Sequence, residues 1–549
     1  MSNRNQFSKL KFPILILVIS WLGSLFLINI TGEFALIDDW AYAKSVRNFS
    51  EDGVFKIYDR IAITFISNLL WGSLFTKLFG FSFFVLRIST VVAGAILIYA
   101  FYRWLGLLTE NQKLRVFCTA LLAFNPLFYV LSTTFMTDIF FLMNACISLY
   151  FFTAYLKKDK LNFLGWAFLF GIIATLSRQV GMVIPVAFLM VSFGKSIPIK
   201  HRIYTYIGVL ISVCSLILFY LLLASNKSMP SHYTMHPNYL YHQMISLNKQ
   251  IILRWFFYLY TTIVSLSILL LPMGIYLLSQ YKVKTKRALF IFVFCFLGFG
   301  LIGLFRDTTF PFAGQIINDY GIGGYFFYKP YSRVAQMSFN LPDWFNVGLI
   351  SISVGVLIYV VSEIFSSLRE KFRVSKTLQF LVWTTALYYP CFGFVYVFDR
   401  YLLFHFILLV PLLILIFHNV LKHTRPSYSA CVVLATFGLF TLIGTHDYFE
   451  YNRTKTKALN ELTQVQKIRP EHIDGGMAFN AWYGYENDDF ESSVGKSWWC
   501  IKEDNYIISI DKKVKGYAIH KEYAYNNWLG LKKRRLLVLK KNPQYFRMQ

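Results

Sequence analysis

The sequence predicts an all-α polytopic membrane protein of about thirteen transmembrane helices, followed by a small C-terminal α/β domain. Three observations lead there. Of 549 residues, 56% are hydrophobic, 19% aromatic and only 15% charged, and the mean hydropathy is +0.49, so lipid must solvate most of the surface. Apolar stretches long enough to cross a bilayer recur through residues 1–446. The segments between them alternate in charge, as loops on opposite sides of a membrane do.

The first apolar stretch, 13–30, follows Arg4, Lys9 and Lys11, and no small-residue cleavage pattern comes after it, so it reads as an uncleaved helix. Further spans are expected at 83–102, 116–132, 139–156, 161–177, 179–194, 203–224, 251–280, 288–305, 346–367, 378–398, 401–421 and 428–446. An odd number puts the termini on opposite sides. With the N-terminus cytoplasmic, every cytoplasmic loop is basic, from Arg103/Lys113/Arg115 through Lys157/Lys158/Lys160 and Lys195/Lys200/Arg202 to Lys422/Arg425. The acids Glu33, Asp38, Asp39, Asp138 and Asp399 then fall outside, and so does the C-terminus. These clusters account for much of the formal charge of +26 as topogenic charge, which argues against a nucleic-acid partner. Six of the seven cysteines lie in apolar stretches and no C-x-x-C occurs, so neither a disulfide framework nor a zinc site is suggested.

Three regions stand outside the transmembrane part. Residues 31–82 carry an amphipathic stretch near 40–49 and a second apolar stretch with an embedded Lys77, which suits a helix lying at the interface. The loop 306–345 is long and rich in Gly, Tyr and Phe, whose rings suit either a prenyl chain or acceptor, or interface anchoring. The tail 447–549 opens with a polar helical stretch near 449–468, and M-A-F-N-A-W-Y-G-Y, N-Y-I-I-S-I and R-R-L-L-V-L read as strands of a small domain.

Asp38 and Asp39 stand just past the first helix. Like charges at neighbouring positions repel, and carboxylates near hydrocarbon are costly to desolvate, so the pair reads as a site; the plain alternative is two acids solvating a loop. Arg178 is wedged between two apolar stretches, where an arginine is expensive unless paired or solvated by a cavity. Arg306 and Arg400 lie at helix boundaries, where snorkelling is the simpler explanation. His405, inside an apolar helix, reads as a satisfied core histidine.

The string D-D-W-A-Y-A-K-S-V-R resembles the D-E-x-x-Y-A-x-x-x-R pattern in the first outer loop of the C-type (GT-C) lipid-linked-sugar glycosyltransferases, bacterial relatives of protein O-mannosyltransferase and lipid A aminoarabinose transferase, with Asp39 where Glu is usual. Y-D-R-I-A-I-T, K-L-F-G-F-S-F-F-V-L-R-I-S-T, N-P-L-F-Y-V-L-S-T-T-F-M-T-D, L-S-R-Q-V-G-M-V-I-P and D-R-Y-L-L-F-H-F-I-L-L-V-P follow in the family's order. The resemblance implies an inverting transfer from a polyprenyl-phosphate sugar to a lipid, glycan or protein acceptor of the cell envelope, at the outer face of a bacterial inner membrane. It implies Asp38 as the catalytic base, with Asp39 and Tyr42 as substrate-binding neighbours and Asp138 as the second outer acid, which is also an ordinary helix N-terminal acid. Arg60 takes the place of a phosphate-contacting Lys, and Arg178 and Arg400 are further cations for the leaving phosphate. Arg47 and Arg87 are expected to partner outer acids.

No Walker or Rossmann glycine pattern offers a nucleotide-sugar site. No metal is expected to be required, although Asp38 with Asp138 has the chemistry to hold a hard cation. A secondary transporter is the alternative from another class, and an O-antigen polymerase or ligase the alternative enzyme. The first predicts inverted repeats and broken midplane helices. The second lacks an acid pair after helix one and a soluble tail.

Overall fold

The computed structural model describes residues 2–547 except 60, 195–196, 226–229, 231–240, 243–244, 246–248, 307–311, 313, 315, 318–341, 364–371, 373–374, 394–396, 485–500 and 529–532. Among the described residues, eight helices are long and apolar enough to cross a membrane: Phe83–Leu108, Thr137–Lys158, Ile199–Ser225, Ile251–Leu269, Thr285–Leu304, Asp343–Ser362, Asp399–Ile416 and Tyr428–Val465. Shorter apolar helices cover Pro13–Leu27, Asn162–Thr175 and Gln179–Ser192. The chain is thus a largely helical integral membrane protein.

In chain order the first helices are α1 (Ser2–Leu27), α2 (Asp39–Glu51), α3 (Ile66–Phe79), α4 (Phe83–Leu108), α5 (Gln112–Ala123) and α6 (Pro126–Leu131). They are followed by α7 (Thr137–Lys158), α8 (Asn162–Thr175), α9 (Val183–Ser192), α10 (Ile199–Ser225), α11 (Lys249–Leu269) and α12 (Leu271–Leu278). The expected span 116–132 is divided between α5 and α6. Pro126 cannot extend a helix, and the Asn125 side chain starts a new one by accepting the Leu127 and Phe128 amides at 3.0 and 3.4 Å. The stretch 251–280 also breaks before a proline, Pro272, here without a side-chain cap. The later helices are α13 (Thr285–Arg306), α14 (Asp343–Ser362), α15 (Lys376–Tyr388), α16 (Leu402–Ile416), α17 (His418–Leu421) and α18 (Tyr428–Asn460). In the expected span 378–398, α15 is followed by a 3-10 turn, Tyr389–Gly393. Each expected stretch therefore contains a helix among the described residues, but not every one is a full crossing.

The basic segments gather at one end of the bundle. Asn111 donates to the Leu421 and Thr424 carbonyls at 2.7 Å, Tyr155 hydroxyl meets His201 Nδ1 at 2.8 Å, and the Lys284 amide donates to Tyr359 hydroxyl at 3.0 Å. The acids of the first loop lie at the other end. There α3 exposes Leu70, Leu74, Leu78 and Phe79, while Trp71 donates to the Ser89 carbonyl at 3.0 Å and Gly72 lies against Phe135. The exposed face of α3 is thus apolar.

The C-terminal domain is built on α18, which runs through residue 446 without a break, so a boundary between 446 and 447 falls inside one helix. Its strands are β1 (Ile473–Asp474), β2 (Tyr506–Ile510), β3 (Tyr517–Tyr525) and β4 (Arg534–Lys541), in the order β1-β2-β4-β3. β1 and β2 are parallel, and β4 runs antiparallel to both β2 and β3, with Ile508 opposite Val538. Ile508, Ile510, Leu536 and Val538 join the main core on one face. On the other face Ile507, Leu537 and Leu539 are covered by Val514 and Tyr517. N-Y-I-I-S-I and R-R-L-L-V-L supply β2 and β4 as expected.

Residues 477–485 correct the strand reading, because Met477–Gly484 is a helix, α19. Asn480 Oδ1 accepts the Gly475 amide at 2.9 Å and its Nδ2 donates to Asp474 Oδ1 at 2.9 Å, which starts the helix just after β1. Phe479 and Tyr483, four residues apart, then pack ring to ring at 4.9 Å. β3 lies where no strand was expected; it is an exposed edge with an irregularity between Ile519 and Lys521, which erases its alternation. A final short helix, α20 (Pro543–Arg547), follows β4.

Candidate active site at the acidic end of the bundle

The site is assembled from four chain segments. The first turns sharply at Ile37, a β-branched residue at φ 58°, a conformation such residues adopt only when their surroundings enforce it. This turn sends the two adjacent acids apart. Asp39 is 2% exposed, and its carboxylate accepts the Leu36 amide at 2.7 Å and the Phe135 amide at 3.3 Å. It ties the first loop to the segment that leads into α7. Burial pushes its carboxyl up to about 7, against the opposing pull of the Arg87 guanidinium. Both of its oxygens are thus engaged by backbone amides, which makes Asp39 an anchor of the first loop. Asp38 occupies the N-cap position of α2 without capping it, and its side chain is 31% exposed.

Asp138, in the first turn of α7, is the second component, with 3% of its side chain exposed. A carboxylate favoured there by the helix dipole is here also the partner of two guanidiniums. Arg178, the third component, forms an ion pair with Asp138 through its Nη1, and its guanidinium lies 4.8 Å from the centre of the Tyr401 ring. It extends from the end of α8, whose last carbonyls are bonded by the neighbouring segment: Thr64 hydroxyl to Thr175 at 2.7 Å, Ser67 amide to Leu176 at 3.2 Å and Phe65 amide to Ser177 at 3.2 Å. Gly181 allows the chain to return so closely, because a Cβ there would come within 2.6 Å of the Thr175 nitrogen.

Arg400, the fourth component, lies in the 3-10 turn Asp399–Tyr401 that starts α16. Asp399 is fully buried and fixes the turn by accepting the Ile316 and Ile317 amides at 2.7 to 3.0 Å. Arg400 Nη1 stands 3.8 Å from Asp38 Oδ2 and 3.7 Å from Asp138 Oδ2. Those distances give attraction but exceed a charge-assisted hydrogen bond of about 2.8 Å. Its Nε and Asp138 Oδ2 are buried without a hydrogen-bond partner among the described residues. Phe398 and Tyr401 flank the guanidinium at 5.2 and 5.5 Å, and Met136 Sδ lies 3.8 Å from Nη1. Tyr42, 8% exposed, packs on Phe65 at 5.0 Å, and its hydroxyl is pushed up to about 12 by burial.

Thus Asp38, Tyr42, Asp138, Arg178 and Arg400 converge, and Arg400 departs from the snorkelling explanation by pointing into the acids. The other candidates lie elsewhere. Arg47 pairs with Glu51 at 2.9 Å on the exposed face of α2, as expected. Arg87 acts on the charge of Asp39 and Glu33, as expected of a partner of outer acids, and gives its donors to the carbonyls of Ile30, Gly32, Phe34 and Thr133 at 2.7 to 3.1 Å. His405 is buried against Tyr388 and Phe392, and its Nδ1 has no hydrogen-bond partner among the described residues, which departs from a satisfied core histidine. Arg60, the Arg306 side chain and nearly all of the 306–345 loop lie outside the described residues.

Sequence reading named Asp399 only as an outer acid and missed Met136 and Tyr401; of these two, Tyr401 carried a signal, an aromatic ring directly after Arg400. Among the described residues no group of three or more His, Cys, Asp or Glu could hold a metal ion, and the cation between Asp38 and Asp138 is Arg400 itself.

No curated protein matches the chain. Two crystal structures of ArnT from Cupriavidus metallidurans align with it along nearly its whole length. The one bound to undecaprenyl phosphate has 13% identity and a TM-score of 0.42, covering 96% of this chain and 97% of that one. The apo form has 12% identity and a TM-score of 0.41, covering 98% of each. At such scores neither alignment bears on function. The family model of dolichyl-phosphate-mannose-protein mannosyltransferase matches residues 69–223, which include Asp138 and Arg178 but neither Asp38 nor Arg400. Over that segment the chain is similar to this mannosyltransferase family.

Proposed function

We propose that this protein is an inverting glycosyltransferase that moves a sugar from a polyprenyl-phosphate carrier to a hydroxyl-bearing acceptor of the cell envelope, at the outer face of a bacterial cell membrane. The observation that carries the reading is a buried Asp138 that faces two buried cations, Arg178 and Arg400, the second of which also stands 3.8 Å from a partly exposed Asp38. The match of residues 69–223 to a family named for a lipid-phosphate-linked sugar supports it. So does the gathering of the acids at the end of the bundle opposite the basic segments.

In this mechanism the acceptor oxygen attacks the anomeric carbon and Asp38 removes its proton. The bond from that carbon to the phosphate oxygen breaks, and its electron pair stays on the phosphate. Arg178 and Arg400 act on the charge that develops there, so they stabilise the transition state more than the bound donor. Asp138 sets their positions before substrate arrives, and Tyr401 covers the face of Arg178. Arg60 is assigned a phosphate contact by its motif alone. No divalent ion is needed for these steps, because the cationic work falls to arginine.

The test is transfer by purified protein in detergent, offered a synthetic polyprenyl-phosphate sugar or the matching nucleotide sugar. The reading expects turnover of the lipid-linked donor only. Efficient use of the nucleotide sugar without a lipid carrier would overturn it.

A further inference from the structure

The C-terminal domain reaches the acid-bearing helix through one lysine. Lys44 lies on α2, six residues past Asp38, and is 7% exposed. Its ammonium is enclosed by three rings: Tyr58 at 4.9 Å, Trp482 at 5.7 Å and Trp40 at 6.0 Å. Trp482 belongs to α19 of the C-terminal domain. Lys44 Nζ also donates to the Ala481 carbonyl of α19 at 3.4 Å and to Tyr58 hydroxyl at 3.5 Å. An ammonium held against aromatic faces and a carbonyl is held less firmly when one side of the cage leaves.

The far side of this contact is stiff. Trp482 packs edge-on against Phe83 at 4.9 Å and parallel to Phe81 at 6.4 Å. The mutual bonds of Asp474, Gly475 and Asn480 join α19 to β1, and β1 pairs with β2. The sheet is fastened to α18 independently: Trp528 stacks on His446 at 3.6 Å, and its amide donates to Asp447 at 2.9 Å. On the near side, Ser45 hydroxyl accepts the Tyr58 amide at 3.0 Å, so the cage also fixes the strand of chain that leaves α2.

We propose that Lys44 is a positioning residue through which the C-terminal domain holds α2, and with it Asp38, in register with Arg400. The inference rests on the proposed transfer reaction for its kinetic consequence, but not for the contact itself. Asp38 starts the helix that Lys44 pins, so a small rotation of α2 alters the 3.8 Å separation from Arg400. Misplacement on the scale of 1 Å costs about 10²-fold in rate.

The experiment compares the full chain with Lys44→Met, Lys44→Arg and Trp482→Ala, reading donor kinetics and hydrogen exchange. Lys44→Met and Trp482→Ala are each expected to lower kcat by about 10- to 100-fold with donor KM changed by less than about 2-fold. The double variant should be no worse than either single one, since both remove the same contact. Lys44→Arg should recover most of the loss. Exchange should quicken in peptides 39–51 and 477–484 while β2 and β4 keep their protection. Should Lys44→Met not fold, Trp482→Ala carries the same readouts from the other side of the cage. Unchanged exchange in 39–51 for a folded variant, or additive losses in the double variant, would overturn the inference. If the wild-type chain transfers no sugar from a lipid carrier, the proposed function fails, and the exchange data still decide whether the clamp exists.

Discussion

Arg87 and Arg400 sit at the same end of the bundle, each buried and each near one of two adjacent acids, but their donors are satisfied in different ways. Arg87 gives its donors to four backbone carbonyls and lies between the rings of Phe34 and Phe449 at 5.0 and 5.2 Å. Arg400 faces two carboxylates at 3.7 and 3.8 Å, and its Nε has no hydrogen-bond partner among the described residues. The acids divide likewise: Asp39 is closed off by backbone amides, whereas Asp38 is partly exposed. A buried cation saturated by carbonyls is a brace. One held at a distance by acids keeps donors for an anion that has yet to arrive.

The comparison breaks most decisively at Arg87. Arg87→Met should leave several buried carbonyls without donors and lower stability by about 3 kcal/mol or more, read as a fall in Tm and in yield. Activity per folded molecule should stay near normal. If instead a stable Arg87→Met protein lost transfer, Arg87 would belong with Arg400.

Asp38→Asn keeps the shape of the side chain and removes its basicity. Turnover should fall by about 10²-fold with Tm unchanged. Near-normal turnover at normal abundance would remove Asp38 as the base.

Arg178→Ala and Arg400→Ala should each weaken donor use by about 10- to 100-fold, the size of a charge-assisted contact. Acceptor KM should move far less. Arg178→Lys should recover less than a point charge would suggest if the planar fork matters.

Asp39 gives the smallest effect and a signed pH dependence. Its folded carboxyl is raised from 3.8 to about 7, so the folded state holds a proton that the unfolded state has released. Its contribution to stability is complete at low pH and is lost as pH rises through about 7. Tm should therefore decline more between about pH 4 and pH 7 in the wild type than in Asp39→Asn. Equal slopes would show that Asp39 is ionised throughout.

Much of this was legible in the sequence, and the reasons differ by residue. Helix positions followed from apolar length, and the shared end of Asp38, Asp138, Arg178 and Arg400 followed from charge alternation, because both are imposed by lipid. That Asp39 turns onto backbone amides while Asp38 stays partly exposed could not be read, since the turn at Ile37 that parts them depends on tertiary packing rather than on local preference. Arg87 and Arg400 both read as boundary or partner arginines. Which groups meet their donors is fixed by contacts with Ile30, Thr133 and Asp38, far away in the chain. The helix at 477–484 was hidden because its aromatic run suits a strand equally well, and only the bonds among Asp474, Gly475 and Asn480 decide it.

The most direct measurement is binding of a polyprenyl phosphate, without any sugar, to the purified protein, which isolates the anion site from the chemistry. The account predicts that Arg400→Gln and Arg178→Gln each weaken binding by about 10-fold or more. Asp38→Asn should bind at least as tightly as the wild type, because it removes a negative charge beside the phosphate. Undiminished binding by a folded Arg178→Gln, Arg400→Gln double variant would contradict the claim that these two arginines form the phosphate site.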